Sequence, residues 1–332
     1  MIGIGIVGAG FIGEYHARAI EATDGLRLVA AHRRDHDLLG AFCRTHHCRA
    51  FHDYRELIAD DEVDVVVIAT PHHCHTAVAL DAIEAGKSIF LEKPMATTLD
   101  ECRQIVDAAR AAQVPGMVGF TNRFARAYQI AKQILDSGEL GRPVHGVSSM
   151  SKQWLEPNRR PWHLSAATGG GMWLTAGIHC LDRLTWLVDS SVRQVTARFA
   201  TRFHAQDADD VGTVLVEYAN GAVGAIISVG YAEGAPNHQT ELVCTHGALR
   251  LDYVTGVTIG RGERWHTVPE SGSEDWMNEA FRNQWRAFLP ALERRAPSPI
   301  PFEYGFHIME AALAAMDSSR TGLKRDLTST GT

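Results

Sequence analysis

Three glycines, one lysine and one histidine are the residues of this chain whose setting points to chemistry. Gly8-Ala9-Gly10-Phe11-Ile12-Gly13 matches G-x-G-x-x-G. In that pattern Gly8 permits the tight turn, Gly10 lets backbone approach a pyrophosphate, and Gly13 allows helix and strand to pack closely. Backbone N–H groups from Phe11, Ile12 and Gly13 then face the phosphates, where the helix dipole favours negative charge. Lys93 stands in Glu92-Lys93-Pro94, just after the apolar run Ser88-Ile89-Phe90-Leu91. A lysine there can take or return a hydroxyl proton if burial lowers its pKa, or can simply pair with Glu92. His179 falls on an expected helix from Met172 to Trp186, one turn from Asp182 and Arg183. Taken alone, a histidine on a helix is more often structural.

The elements that position these residues follow from apolar periodicity. Ile2, Ile4, Ile6 and Val7 form a buried strand, the residues after Gly13 an amphipathic helix, and Leu26–Ala31 a second strand. The strand-turn-helix-strand context is the one the glycine motif requires. Further strands are expected at Arg49–Phe51, Asp64–Pro71, Ser88–Leu91 and Pro115–Phe120, with helices between them. This alternation gives a doubly wound parallel sheet. Ligands of such sheets lie beyond the carboxyl ends of the strands, where Thr70-Pro71, Glu92-Lys93-Pro94 and Gly119-Phe120-Thr121 occur. His75 either lines the nicotinamide side of that crevice or merely starts a helix. At the end of the second strand an acidic residue would serve NAD, but this chain has His32-Arg33-Arg34, which suits the 2′-phosphate of NADP. Asp35 and Asp37 keep NAD open.

The second half changes character. Alternating strands are expected at 144–151, 192–203, 212–218, 222–229, 240–244 and 248–251, with Asn220-Gly221 as a hairpin turn. The fold class is therefore α/β. An N-terminal Rossmann domain spans 1–121, and an α+β domain with a large open, mostly antiparallel sheet spans 122–332. At 332 residues the chain has room for both cores. A net charge of −7 argues against nucleic-acid and anionic-membrane partners. No apolar run is long enough to span a bilayer, and the first strand begins at once, leaving no room for a secretory signal. Six scattered cysteines without a C-x-x-C pair suit a reduced, cytoplasmic setting. Cys43, His46, His47, Cys48 and His52 have the composition of a zinc site. No second ligand pair follows at structural-zinc spacing, so no metal is expected.

Several motifs together, in order and spacing over nearly the whole chain, resemble the Gfo/Idh/MocA oxidoreductase family. They are Gly8-x-Gly10-x-x-Gly13-x-x-His16, Ala69-Thr70-Pro71, Glu92-Lys93-Pro94, Ser137-Gly138-Glu139-Leu140-Gly141 and Gly169-Gly170-Gly171 followed by Gly177-Ile178-His179-x-x-Asp182. The resemblance implies that Lys93 and His179 share the proton transfer. It also implies a homodimer or homotetramer formed through the C-terminal sheet. Family members usually carry an aspartate four residues before that histidine; here it is Thr175, which can bond a substrate but cannot raise imidazole basicity. The substrate pocket is expected to use Arg123, Trp154, Trp162, His163, Thr175 and His179, helped by Arg159, Arg160 and Trp173, because aromatic faces stack on sugars and arginines suit carboxylates.

The expected activity is hydride transfer between NADP, or NAD, and a secondary alcohol or ketone of a sugar, cyclitol or related polyol. Alternatives are a dihydrodiol or hydroxy-carboxylate dehydrogenase, a nucleotide-assisted glycosidase, and a non-catalytic nucleotide sensor.

Overall fold

Short β-branched and apolar runs build the central strands of the first of two units. The computed structural model describes residues 1–328. Strands β1 (Ile2–Val7), β2 (Leu26–His32), β3 (Arg49–Phe51), β4 (Val65–Ile68), β5 (Ser88–Glu92) and β6 (Gly116–Gly119) pair in parallel. Their order is β3-β2-β1-β4-β5-β6. Helices α1 (Phe11–Glu21), α2 (His36–Thr45), α3 (Tyr54–Ile58), α4 (His75–Glu84) and α5 (Leu99–Ala112) connect them. Central β4 is buried at every position, as a strand sandwiched between helices must be. The chain turns at Gly8, whose φ of +104° puts it in the region that favours glycine.

This unit is not confined to the start of the chain. It comprises Met1–Thr121 together with Phe281–Phe306, although the sequence pattern assigns everything after residue 121 to a second domain. The physical reason is aromatic packing. Trp285 and Phe288, on helix α8 (Trp276–Leu292), are fully buried. Trp285 lies against Phe90 with ring centroids 5.0 Å apart and against His16 at 5.9 Å. Phe302, at the start of α9 (Phe302–Thr321), covers Gly116 so closely that a methyl group there would lie 2.3 Å from the ring.

The second unit, Asn122–Ala280 with His307–Thr332, carries a nine-stranded sheet. Its strands are β7 (Pro143–Gln153), β8 (Val192–Ala200), β9 (Val211–Tyr218), β10 (Val223–Tyr231), β11 (Thr240–Cys244), β12 (Gly247–Asp252), β13 (Gly256–Arg261), β14 (Arg264–Thr267) and β15 (Arg325–Asp326). They run in the order β14-β13-β12-β11-β7-β10-β9-β8-β15. β7 and β10 are parallel and the remaining pairs antiparallel. Helices α6 (Arg126–Asp136) and α7 (Ile178–Val188) pack on one face. On that face β9 buries Val214, Val216 and Tyr218, while Leu215 is 57 % exposed on the other. Val223 and Val243 are also exposed large apolar residues. Asn220-Gly221 makes the β9–β10 hairpin, with Gly221 at φ +83° and Asn220 Oδ1 accepting from Ala222 N. Among the described residues no helix is long and apolar enough to cross a membrane.

Candidate active site

The glycine turn in the first unit is shaped by contacts that leave one face open. Gly8 N and Ala9 N both donate to His32 O at 3.0 Å, tying the turn to the end of β2. A methyl group on Gly8 would lie 2.5 Å from the carbonyl carbon and oxygen of Ala69, and one on Gly13 would lie 2.8 Å from Gly8 O. Gly10 differs: the nearest atom to a methyl there is Gly8 O at 4.0 Å. No side chain caps the α1 N-terminus that begins after Gly10. Uncapped helix N–H groups facing open space fit a pyrophosphate. Thr70 Oγ1, at the end of β4, is buried with no hydrogen-bond partner, a second group that fits a bound nucleotide.

At the end of β2, Arg33 lies across the same turn, donating to Ala9 O at 3.1 Å. Arg34 is exposed and approaches Cys74, whose thiol is nevertheless pushed up by burial. Asp35 caps α2 by accepting from Leu38 N at 3.0 Å, so its carboxylate is engaged there. Burial lowers the pKa of His32.

Along the strand ends, Glu92 is buried and accepts from His16 Nε2 at 3.0 Å. Lys93 follows, half-buried, and its bond to Pro94 is cis. Pro71 begins the turn after β4. His75 is fully buried, with Nδ1 2.9 Å from Pro94 O and Nε2 2.9 Å from Thr70 O. The imidazole therefore lies between the turns after β4 and β5, and as a neutral ring it donates to one of these two carbonyl oxygens; burial lowers its pKa. Of the residues with zinc-like composition, His46 is held by carboxylates, with Nδ1 2.8 Å from Glu21 and Nε2 3.0 Å from Glu14. Among the described residues no group of three or more His, Cys, Asp or Glu could hold a metal.

In the second unit, Thr175 is buried and His179 half-buried. The stretch before His179 is not the regular helix expected from the sequence. Trp173–Gly177 forms a π-helical turn that passes into α7 at Ile178. Such insertions recur at functional sites because they re-aim side chains without ending the helix. Asp209 anchors the start: Met172 N donates to Asp209 O at 2.9 Å and Trp173 N to its carboxylate at 2.8 Å. One turn past His179, Asp182 is fully buried and takes a forked ion pair from Arg123, with Nε at 3.0 and 3.1 Å from its two oxygens.

The other expected pocket residues divide. Trp154 is fully buried, donates to Gln206 Oε1 at 2.8 Å and has the Arg159 guanidinium 4.5 Å from its ring centroid, so it belongs to the core. Arg159 is itself bonded to Glu156 and to Trp154 O. Trp162 is half-buried and stacks on His163 at 3.6 Å between centroids. His163 Nδ1 accepts from Arg160 N at 2.9 Å. Trp173 is buried and donates to Ala312 O.

Strand order and an open glycine turn define a dinucleotide-binding protein, and the comparisons carry this further. The family model described as "Oxidoreductase family, NAD-binding Rossmann fold" matches residues 2–120. The "GFO/IDH/MocA C-terminal domain" matches residues 128–250. The chain is 34 % identical over 257 residues to inositol 2-dehydrogenase of Acidothermus cellulolyticus, covering 75 % of this chain and 72 % of that protein. It is 29 % identical over 287 residues to levoglucosan dehydrogenase of Pseudarthrobacter phenanthrenivorans, covering 76 % and 74 %. A crystal structure of GenD2 from gentamicin A biosynthesis, in complex with NAD, superposes with a TM-score of 0.88 at 26 % identity, covering 99 % and 97 %. The chain belongs to the Gfo/Idh/MocA oxidoreductase family and is an NAD(P)-dependent dehydrogenase or reductase.

Proposed function

We propose that this enzyme moves a hydride between NADP, in preference to NAD, and a secondary alcohol or ketone carbon of a sugar, cyclitol or related polyol. The bound nucleotide would supply or accept the hydride. The observation that carries the reading is the open face above Gly10 at the uncapped start of α1. Backbone from Gly8 to Gly13 would hold the pyrophosphate, and the Thr70 hydroxyl would bond the nucleotide. Arg33 and Arg34 would hold the 2′-phosphate. Support for NADP is that Asp35, the nearest carboxylate after β2, is occupied in capping α2. Relatives named for inositol and levoglucosan support the substrate class. An uncharged substrate is also favoured because Arg123 and Arg159 are already held by Asp182 and Glu156.

Lys93, at the end of β5, is assigned the proton exchanged with the substrate hydroxyl. His179 is assigned a share in that transfer, and Thr175 a hydrogen bond to substrate. Assembly through the exposed face of the nine-stranded sheet, where Leu215, Val223 and Val243 lie, and a cytoplasmic setting suited to six free cysteines complete the reading.

Purified protein with a panel of sugars and cyclitols should change NADPH absorbance; no change with any of them overturns the substrate assignment. Lys93→Met and His179→Asn should each lower kcat/KM about 10²- to 10⁴-fold while NADPH affinity holds. Replacing Arg33 and Arg34 by alanine should weaken NADPH binding by about tenfold or more and leave NADH nearly unchanged. Equal losses on both nucleotides would remove the NADP preference.

A further inference from the structure

His16 is fully buried in the first unit, walled by Phe90 at 4.7 Å and Phe281 at 5.0 Å between ring centroids. Its two nitrogens meet two polar groups of opposite demand. Trp285 Nε1 lies 3.1 Å from Nδ1, and Glu92 Oε1 lies 3.0 Å from Nε2. An indole N–H can only donate, so Nδ1 must present its lone pair. The one ring proton then sits on Nε2 and is donated to the carboxylate. This excludes both the imidazolium and the other tautomer. Glu92 Oε1 is spent on this bond and packs against Gly119, where a methyl group would lie 2.8 Å away. Among the described residues, the second oxygen, Oε2, takes no hydrogen bond from the protein, and the side chain keeps 8 % of its surface exposed.

We propose that Trp285 and His16 are positioning residues for Glu92: they fix one carboxylate oxygen so that the other stands as an oriented acceptor beside Lys93. Its ligand would be a hydroxyl or amide N–H donor of the nucleotide at the carboxyl end of β5. The relay joins residues 269 apart in sequence and adds a polar link to the aromatic packing that holds α8 from Phe281 onward in the nucleotide-binding unit. The ligand half rests on the proposed nucleotide site; the tautomer half does not.

Two measurements on the full-length chain test it. Long-range ¹H–¹⁵N spectra of nucleotide-free, ¹⁵N-histidine-labelled protein should show His16 as the Nε2–H tautomer, with its signals assigned by their loss in His16→Leu. Trp285→Phe, which keeps an aromatic ring but removes the donor, leaves Glu92 still accepting from Nε2 and should shift the Nδ1 resonance alone; an unshifted Nδ1 resonance overturns the part given to Trp285. An Nδ1–H or doubly protonated ring in the unmutated protein overturns the relay.

The second measurement is a double-mutant cycle on NADPH affinity, comparing His16→Leu, Glu92→Leu and both together. Each single change should weaken binding about tenfold, and the pair no more than Glu92→Leu alone, because His16 acts only through Glu92. A merely structural His16 would add its own cost, and additive losses overturn the positioning role. Should neither dinucleotide bind the unmutated chain, the nucleotide reading falls, and the tautomer result alone decides the relay.

Discussion

Two helix N-termini in this chain are finished in opposite ways. α1 begins at Gly10 with no side-chain cap and with space where a methyl group would go. The π-helical turn leading into α7 begins against Asp209, whose carbonyl and carboxylate accept from Met172 N and Trp173 N. Asp209 Oδ1 fills the space beside Gly171, only 2.3 Å from where a methyl group would lie. A helix start carries partial positive charge and unsatisfied donors. The first is left for an anion from outside; the second is closed by the protein's own carboxyl group. An end closed in this way makes its helix a fixed carrier, here for Thr175 and His179, whereas an open end is itself the binding surface.

The contrast predicts that the two ends break differently. The largest effect should come from the helix that the closed end leads into. Arg123→Met leaves the fully buried Asp182 without its guanidinium, and should cost about 3–5 kcal/mol in a denaturant titration. A cost below about 1 kcal/mol would mean that the pair does not hold α7. Next comes the backbone-built end. Gly8→Ala combines a left-handed backbone with a collision at the Ala69 carbonyl, and should cost about 2–4 kcal/mol. Gly10→Ala, two residues on, meets only Gly8 O, at an unstrained 4.0 Å. Its melting temperature should stay close to the original while nucleotide affinity falls about tenfold or more, since the methyl group occupies the phosphate face. If Gly10→Ala unfolds the protein or binds nucleotide normally, the open end is not the phosphate site.

The same contrast explains what could be read from the sequence. The glycine turn and Arg33-Arg34 are local: backbone conformation needs particular residues at fixed spacing, and that spacing is written along the chain. Strands β1, β2, β4, β5 and β6 are legible because each holds a run of apolar residues. The second unit is legible as alternating strands but not at its margin. β14 is exposed at all four positions, so it carries no alternation to read. The Asp209 anchor has no sequence signature, and the motifs that contain His16 and Glu92 do not show their link to each other or to Trp285, because each connection joins distant segments through single side chains. His75 shows the same limit. Its place after β4 leaves a crevice residue and a plain helix start equally open, and the two carbonyl oxygens beside its ring come from turns that the sequence does not show to be neighbours. The π-helical turn at Thr175 was equally unreadable, since five-residue and four-residue ladders share the same residue preferences.

The closed end also predicts a pH dependence that the open end lacks. Burial pushes the Asp209 carboxyl up to about 7, with the neighbouring Asp210 adding to the shift. A carboxyl raised from its unfolded value of 3.8 means that the folded state holds a proton the unfolded state has lost between those two values. Its contribution is therefore fully present below about pH 4 and drains away as pH rises through 7. Asp209→Asn keeps an oxygen to accept from Trp173 N but cannot ionise. Its melting temperature relative to the unmutated protein should climb by a few °C between pH 5 and 7 and level off above 7. Thermal melts across that range read the difference directly. A flat difference, or one that shrinks as pH rises, would show that the carboxyl is ionised when it closes the helix. The two ends would then differ only in where their negative charge comes from.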